Sequence, residues 1–461
     1  MNRYACVDVG TTRVKLSVYD ENFARIRSEY NVDPISRSGL HDPEAVYQTV
    51  KQMLRRARDL GATSAGLATY RASVVAWKTD GTPLTPIITW VNTESQGTYE
   101  KQPFYIKTVA KVPPFDLIIS PYSPLLRFLR LQEIRPEIKP MLASGEAMLW
   151  TLESYLAYRL TGRFVSDATS ATLTGLIHPK TLKVIGIAKS LLKLDLPIPE
   201  VVGNAELIGT AEGLELEALA ADQQAACLAE GAVSGPVAKV TNGTGTFLDI
   251  PVEEYSSVGG LIPIVILKLE NSIFHGVEGY LPTSGRVVEL MIELGIIRDY
   301  AELENPPVAS RVKVVPAFAG LQLPRLPDAK GLIAGLTPAT DRGSIISALM
   351  DAIAFHVRLV LEASKRRVEV LRANGNLSRS TELLRRISCV TGLPVERQAD
   401  LEGTMKGLAL LQALSEDRLK LVDVGSTRKE VEVINEAGKD RRDGDYQDWK
   451  SLTESLKNFR A

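Results

Sequence analysis

The stretch Tyr4–Tyr19, YACVDVGTTRVKLSVY, decides the fold that the sequence predicts. β-Branched and aromatic residues precede Gly10, and apolar residues alternate with polar ones after it, which predicts two strands joined by a tight turn. The turn places Asp8 beside Gly10, Thr11 and Thr12. Glycine lets a ligand approach the backbone, N–H groups of a turn can bind an anion, and threonine hydroxyls add donors. The stretch therefore indicates either a phosphate-binding turn or an ordinary β-hairpin with a polar tip.

A second stretch of the same kind lies in the other half of the chain. Val237–Val252 reads as strand, the turn Asn242-Gly243-Thr244-Gly245-Thr246, and strand, and it follows a linker-like segment, Gly231–Pro236. This internal repeat favours the phosphate interpretation of both turns and indicates a duplicated architecture. A chain of 461 residues is too long for one core. We therefore predict two domains, residues 1–231 and 232–461.

Helices alternate with strands through both halves, which predicts an α/β fold. Asp42-Pro43-Glu44 is a helix start signal, so a helix is expected over Asp42–Leu60. A second helix is expected over Gly145–Leu160, before Thr161-Gly162. Apolar residues at helical spacing predict a long helix over Asp341–Lys365.

The composition is that of a soluble globular protein. The chain is 45% hydrophobic and 24% charged with a net charge of −1, so it has no electrostatic footprint for nucleic acid or an anionic membrane. Its three cysteines and four histidines show no disulfide or metal-ligand spacing, which fits a reducing cytosol. The longest apolar run, Leu261–Leu267, is too short to span a membrane. We therefore expect a cytoplasmic protein that binds neither nucleic acid nor membranes.

Five segments make the chain resemble the FGGY family of carbohydrate kinases, and within that family they are most similar to those of glycerol kinases. In order, they are Asp8–Thr12, Ala221–Ala226 (ADQQAA), Asn242–Phe247 (NGTGTF), Val315–Leu321 with Gly331–Thr337, and Arg372–Asn376. Each is weak alone, but five in the family's order are a specific signal. The resemblance implies two ribonuclease-H-like domains, as in actin and sugar kinases, with the active site in the cleft between them. The N-terminal domain would hold the sugar and the catalytic base, and the C-terminal domain the nucleotide.

The resemblance also implies roles for individual residues. Asp222 would be the catalytic base, and a small polyol or sugar would contact Arg71, Trp90, Asp222, Gln223 and Phe247. ATP would be held by Gly10, Thr11, Thr12, Lys15, Gly243, Thr244, Gly285, Gly375 and Asn376. Asp8 would hold a Mg²⁺ ion that the phosphates also bind. A homodimer is compatible with the resemblance.

The chemistry of phosphoryl transfer agrees with these roles. The reaction depends on positioning and charge stabilisation, with a carboxylate within hydrogen-bond reach of the attacking hydroxyl. Each residue also has a structural alternative. Asp222 would then be a helix N-cap, Arg71 a solvated charge at a strand end, and Trp90 a core residue.

The sequence departs from the glycerol kinases at several positions. Ala72 stands where glycerol kinases carry a glutamate beside the arginine, and Ala168 stands where they carry a tyrosine. In glycerol kinases that glutamate and that tyrosine both contact glycerol. Losing both contacts costs on the order of 2–4 kcal/mol of glycerol affinity and enlarges the pocket, which favours a larger polyol or ketose. Lys15 replaces an arginine, which keeps the positive charge but loses the planar guanidinium group that can donate two parallel hydrogen bonds. Asn376 replaces a glycine, and asparagine tolerates positive φ.

Two alternatives stay open at this point. One is a glycerol kinase with a rearranged substrate pocket. The other is an actin-like ATP-binding regulator without sugar kinase activity, which the retention of Asp222 and both Gly/Thr turns disfavours.

Overall fold

The computed structural model describes residues 2–458 except 34, 37, 93, 111–118, 122, 257 and 307–310. The chain forms two compact units. Unit 1 comprises Met1–Ala229, Ile264–Phe274 and Thr404–Thr427, and unit 2 comprises Glu230–Pro263, His275–Gly403 and Arg428–Ala461. The division predicted between residues 231 and 232 lies close to the first change of unit. It did not include the two later segments that return to unit 1.

Unit 1 is built on a six-stranded sheet. Its strands are β1 (Arg3–Val9), β2 (Arg13–Asp20), β3 (Arg25–Val32), β5 (Ser64–Thr69), β11 (Ala205–Ala211) and β12 (Leu214–Ala221). They lie in the order β11-β12-β5-β1-β2-β3. Shorter strands form a four-stranded sheet, β4-β7-β6-β8, and a pair, β10-β9. These strands are β4 (Leu40–His41), β6 (Val74–Lys78), β7 (Ile87–Ile88), β8 (Ala147–Thr151), β9 (Val165–Asp167) and β10 (Glu200–Val202).

The helices of unit 1 follow local signals where those are strong. Asp42 caps the first helix by accepting the N–H groups of Glu44 and Ala45 at 2.9 and 3.3 Å, as its start signal predicts. The described helices are Pro43–Asp59, Ser95–Glu100, Phe104–Val109, Pro124–Ile134, Ile138–Ser144, Leu152–Thr161, Ala168–Leu173, Gly186–Leu191, Asp222–Ala229 and Gly403–Ser415, with a 3₁₀ helix at Leu421–Thr427. The helix predicted over Gly145–Leu160 is wrong in its first part. Ala147–Thr151 forms β8 there, because it pairs with β6.

The second large sheet has seven strands and lies mainly in unit 2, although most of one edge strand falls in the segment Ile264–Phe274 of unit 1. Its strands are β13 (Val237–Asn242), β14 (Thr246–Val252), β15 (Ile262–Leu269), β16 (Ser272–Leu281), β19 (Val370–Asn374), β20 (Val395–Gln398) and β21 (Val431–Ile434). The order is β15-β16-β14-β13-β19-β20-β21, and β17 (Lys313–Val315) pairs separately with β18 (Leu332–Ala334). The described helices are Ser284–Glu293, Arg342–Ser364, Thr381–Thr391 and Asp443–Ser455, with 3₁₀ helices at Tyr300–Glu304, Asn376–Arg379 and Leu456–Asn458.

The two large sheets repeat one topology. In unit 1, β1 pairs antiparallel with β2 and parallel with β5, β2 pairs antiparallel with β3, and β5 pairs parallel with β12. In unit 2, β13 pairs antiparallel with β14 and parallel with β19, β14 pairs antiparallel with β16, and β19 pairs parallel with β20. The duplicated architecture predicted from the two Gly/Thr turns is confirmed.

The long predicted helix is found at Arg342–Ser364. It is long and apolar enough to cross a membrane, but 83% of its most apolar window is buried inside the protein. Ile346, Leu349 and Ile353 belong to the core of unit 2. Packing therefore accounts for the apolar character of this helix.

Candidate active site

The first predicted phosphate turn lies at the end of β1 in unit 1. The N–H of Gly10 donates to the Arg13 carbonyl at 2.9 Å and closes the turn. Thr11 is half-buried and Thr12 is exposed. Asp8 and Lys15 are half-buried and face each other in the β1–β2 ladder. The turn therefore presents hydroxyl groups, with one carboxylate and one cation beside it.

The predicted base and the predicted substrate arginine come together in unit 1. Asp222 is the first residue of the helix Asp222–Ala229 and directly follows β12. Its Oδ1 lies 3.9 Å from Nε of Arg71, with the two side chains 26% and 12% exposed. The same oxygen accepts the Gln223 N–H at 2.8 Å, so a capping contact of the kind expected for the structural alternative is also present. A carboxylate and a guanidinium thus converge on one partly open point.

The segments that carry Arg71 and Trp90 are tied together. Ser73 Oγ donates to the Arg71 carbonyl at 3.2 Å and accepts the Trp90 N–H at 3.1 Å. Ala72, between them, has a φ of +58°. This left-handed backbone conformation is uncommon for a residue with a Cβ and carries strain. Trp90 and Gln223 are both half-buried, which leaves part of each side chain accessible.

A buried polar network supports the start of the Asp222 helix. The Ala221 N–H donates to Thr169 Oγ1 at 3.0 Å. Thr169 Oγ1 in turn donates to Asp167 Oδ1, which also accepts Asn204 Nδ2 at 3.1 Å. Thr169 therefore links Asp167 to the residue that precedes Asp222.

A second acid lies behind this network. Ser166 Oγ donates to Glu153 Oε1 at 2.7 Å. Burial and, to a smaller extent, the nearby Asp167 carboxylate raise the pKa of Glu153 to about 8. Burial also raises the pKa of Asp167. Unit 1 thus holds two buried acids whose protonated forms are favoured by burial.

The second predicted phosphate turn, in unit 2, is held by side chains as well as backbone. The Gly243 N–H donates to the Gly245 carbonyl at 2.8 Å. Beneath it, Thr246 Oγ1 makes hydrogen bonds with Asn242 Oδ1 at 3.0 Å and Ser284 Oγ at 2.8 Å. Thr244 is exposed. The turn therefore presents the exposed Thr244 and the half-buried Gly243 on a backbone that these hydrogen bonds fix.

Two further predicted glycines pack directly against that turn. The N–H of Gly285 donates to the Thr244 carbonyl at 3.0 Å, and a Cβ at Gly285 would lie 2.2 Å from the Gly243 carbonyl oxygen. Gly375 has a φ of +84°, and a Cβ there would lie 2.6 Å from the Asn242 carbonyl oxygen. Only glycine fits these positions without displacement of the turn.

Asn376 and Phe247 complete the predicted set in unit 2. Asn376 is exposed and begins the 3₁₀ helix Asn376–Arg379, so the left-handed conformation falls on Gly375 and not on Asn376. Phe247 is half-buried and stacks on Tyr280 with ring centroids 5.4 Å apart. The two rings form an apolar platform of the kind that packs against a carbon skeleton.

The resemblance implies a Mg²⁺ ion, and Asp8 is its predicted ligand. Among residues 2–458 outside the gaps given above, no three His, Cys, Asp or Glu side chains form a metal-binding cluster. Mg²⁺ is usually bound through one or two carboxylates together with substrate phosphates. Asp8, half-buried at a strand end beside the phosphate turn, fits that pattern as a single carboxylate.

Sequence reasoning missed Arg127 and Tyr280. Each acts through a contact between segments far apart in the chain, which no local pattern reports. Arg127 did leave one signal, since it interrupts an apolar helix segment, Pro124–Ile134.

Family models, curated sequences and solved structures all relate this chain to carbohydrate kinases. The N-terminal domain model of the FGGY family of carbohydrate kinases matches residues 3–224, and the C-terminal domain model matches residues 270–416. A protein described as an uncharacterized sugar kinase from Archaeoglobus fulgidus is 29% identical, over 88% of this chain and 90% of its own. A glycerol kinase from Thermus brockianus is 29% identical, over 91% of this chain and 90% of its own. The crystal structure of Plasmodium falciparum glycerol kinase with ADP superposes with a TM-score of 0.87 at 23% identity, covering 100% of this chain and 99% of that one.

Proposed function

The chain belongs to the FGGY family of carbohydrate kinases, and on that premise we propose that Asp222 is the base that activates a hydroxyl of a small polyol or sugar toward the γ-phosphate of ATP. One observation carries this proposal. Asp222 Oδ1 and Arg71 Nε lie 3.9 Å apart at a partly open point of unit 1. A hydroxyl held there reaches a carboxylate that accepts its proton, while the guanidinium binds a neighbouring oxygen.

The proton transfer is simple in its balance. The substrate O–H bond breaks as its oxygen bonds to the γ-phosphorus, the proton passes to the Asp222 carboxylate, and ADP leaves with the electron pair of the broken P–O bond. The Asp222 side chain is 26% exposed, so solvent can take the proton afterwards. Arg71 would orient the substrate, and the half-buried Trp90 and Gln223 would contact it.

The nucleotide residues divide between the two turns. Gly243, Thr244 and Gly285 supply closely packed backbone in unit 2, and Gly375 keeps the neighbouring segment against it. In unit 1, Gly10, Thr11, Thr12 and Lys15 supply donors and a positive charge. Asp8 would hold Mg²⁺, which neutralises phosphate charge when bound.

The substrate that fits best has four or more carbons. Ala72 is half-buried and supplies no carboxylate beside Arg71, and its methyl group takes up less space than a glutamate side chain would. Ala168 differs from Ala72. It is fully buried at the start of the helix Ala168–Leu173, so its small side chain suits a closely packed position and does not widen the substrate site. The preference for a larger polyol or ketose therefore rests on Ala72.

The test is ADP release measured with a panel of three- to seven-carbon polyols and ketoses. We expect the best of the larger substrates to exceed glycerol in kcat/KM by about 10-fold or more, equal to about 1.4 kcal/mol. Ala72→Glu should shift the preference toward glycerol. Glycerol as the best substrate would disprove the size preference, and ATP turnover that ignores every polyol would favour the regulator.

A further inference from the structure

An arginine in the interior of unit 1 connects two parts of the proposed substrate site. Arg127 lies in the helix Pro124–Ile134, which Ser123 caps through the Leu126 N–H at 3.3 Å. Its side chain is fully buried. Nη1 donates to the Ala72 carbonyl at 3.0 Å, and Nη2 donates to the Trp90 carbonyl at 3.0 Å.

Burial of a guanidinium group is costly, and arginine is among the residues least often fully buried. The cost is offset where the cation meets well-placed acceptors. The guanidinium is a planar fork whose two ends point in fixed directions, so a single side chain can hold two carbonyl groups at a set separation. Arg127 uses the fork in this way on Ala72 and Trp90.

Both carbonyls belong to the segments that carry the proposed substrate contacts. Ala72 directly follows Arg71, and Trp90 is itself a predicted contact. Ala72 also has the strained φ of +58°, which must be held by its surroundings. The hydrogen bond from Arg127 to its carbonyl is one such restraint, and the Ser73 hydroxyl joins the two segments from another direction.

We propose that Arg127 is a positioning residue for the sugar or polyol: it fixes the Arg71–Ala72 turn and the Trp90 segment as one rigid element. This inference rests on the proposed function, because it assumes that Arg71 and Trp90 contact the substrate. Arg127 does not touch the substrate in this assignment. Its loss should therefore affect substrate binding and leave nucleotide binding in place.

The first experiment compares Arg127→Lys with wild type, using the best substrate found in the polyol panel. Lysine keeps the charge but lacks the fork, so it cannot hold both carbonyls at once. We expect KM for the polyol to rise about 10- to 100-fold while KM for ATP changes less than about 2-fold. Arg135→Ala is the matched control, since Arg135 follows the same helix and its side chain is 45% exposed; it should change neither constant.

The second experiment uses Arg127→Ala with added guanidinium ion at non-denaturing concentration. We expect added guanidinium ion to lower the raised KM for the polyol part of the way to the wild-type value. An equal concentration of sodium chloride should leave that KM unchanged. If Arg127→Ala does not fold, Arg127→Lys alone decides. An unchanged polyol KM in folded Arg127→Lys, or an equal rise of both KM values, overturns the positioning role. A wild-type protein that phosphorylates no polyol overturns the proposed function instead, so the two failures are distinguishable.

Discussion

The β1–β2 hairpin of unit 1 and the β13–β14 hairpin of unit 2 occupy the same place in sheets of the same order, but they use charge differently. In unit 1, Asp8 faces Lys15 directly beside the turn, and both residues are half-buried. In unit 2, Lys239 faces Asp249 farther along the strands, with Nζ and Oδ2 2.6 Å apart and both side chains fully buried. The charged residues of the unit 1 hairpin are thus partly accessible, whereas those of the unit 2 hairpin lie in the core.

The two turns are also supported in different ways. In unit 2, the side chains of Asn242, Thr246 and Ser284 form hydrogen bonds below the turn. In unit 1, backbone N–H groups of Asp33 and Ile35 donate to the carbonyls of the turn threonines at 3.1 and 3.0 Å. A turn fixed by a buried polar network is suited to bind through its backbone, whereas the other contributes accessible side chains. We infer that the unit 2 turn would bind phosphate through its backbone and that the unit 1 turn would add side-chain donors.

The largest expected effect tests the chemical role of unit 1. Asp222→Asn removes the proton acceptor with little change of shape, so kcat should fall by about 10²–10⁴ while the affinity for ATP stays close to wild type. Steady-state kinetics and nucleotide titration measure both quantities. Asp59→Asn, at a carboxylate that is 59% exposed, is the control and should retain full activity. More than a tenth of wild-type activity in Asp222→Asn would exclude this role.

The parts of the fold that sequence predicted correctly are those set by local signals. The Gly/Thr turns, the capped helix after Asp42 and the apolar helix Arg342–Ser364 each depend on residues within a few positions of one another. The error over Gly145–Leu160 has the opposite origin. Trp150 pairs with Val75 in the β6–β8 ladder, and that distant pairing overrides the helical pattern.

The candidate site shows the same division. Asp222 and the glycines of both turns occur in short motifs, so they were proposed from sequence, and their roles stay predictions. Arg127 was not found, because it acts on Ala72, 55 residues away in the chain. The positive φ of Ala72 also has no sequence signal, since nothing in its neighbours requires it.

The second prediction concerns the buried pair that distinguishes unit 2. Asp249→Asn removes a carboxylate that lies 2.6 Å from the buried Lys239 ammonium, which should lower the free energy of unfolding by about 3–5 kcal/mol. Urea unfolding measures the change. The double variant Lys239→Met with Asp249→Leu, which removes both charges, should be far closer to wild type. A stable Asp249→Asn variant would show that the pair contributes little to the core of unit 2.

The third prediction concerns the acid pair of unit 1. The folded-state pKa of Glu153, about 8, lies above its ordinary value of 4.5, so the native state holds a proton that the unfolded state releases. The stabilisation is fully present below about pH 4.5 and is lost as pH rises toward 8.

Glu153→Gln should remove this dependence and be more stable than wild type at pH 8 by about 1–3 kcal/mol, with a smaller difference at pH 5. Urea unfolding at several pH values measures it. Glu253→Gln, at an exposed position of unit 2, is the control and should follow the wild-type curve. Parallel pH curves for Glu153→Gln and wild type would contradict the assignment. Residual pH dependence is expected from Asp167, whose pKa burial also raises.

The smallest expected effect concerns the backbone of the unit 2 turn. A Cβ at Gly243 would lie 4.0 Å from the Gly245 carbonyl oxygen, so a larger residue fits the fold there. If ATP approaches this backbone, Gly243→Val should weaken ATP binding about 10-fold without lowering Tm, because the side chain occupies space that the phosphates need. Gly285→Ala is the contrasting variant: its Cβ would lie 2.2 Å from the Gly243 carbonyl oxygen, so both Tm and ATP affinity should fall. Wild-type ATP affinity in folded Gly243→Val would place the nucleotide elsewhere. The two turns would then differ in structure, but the unit 2 turn would have no role in binding phosphate.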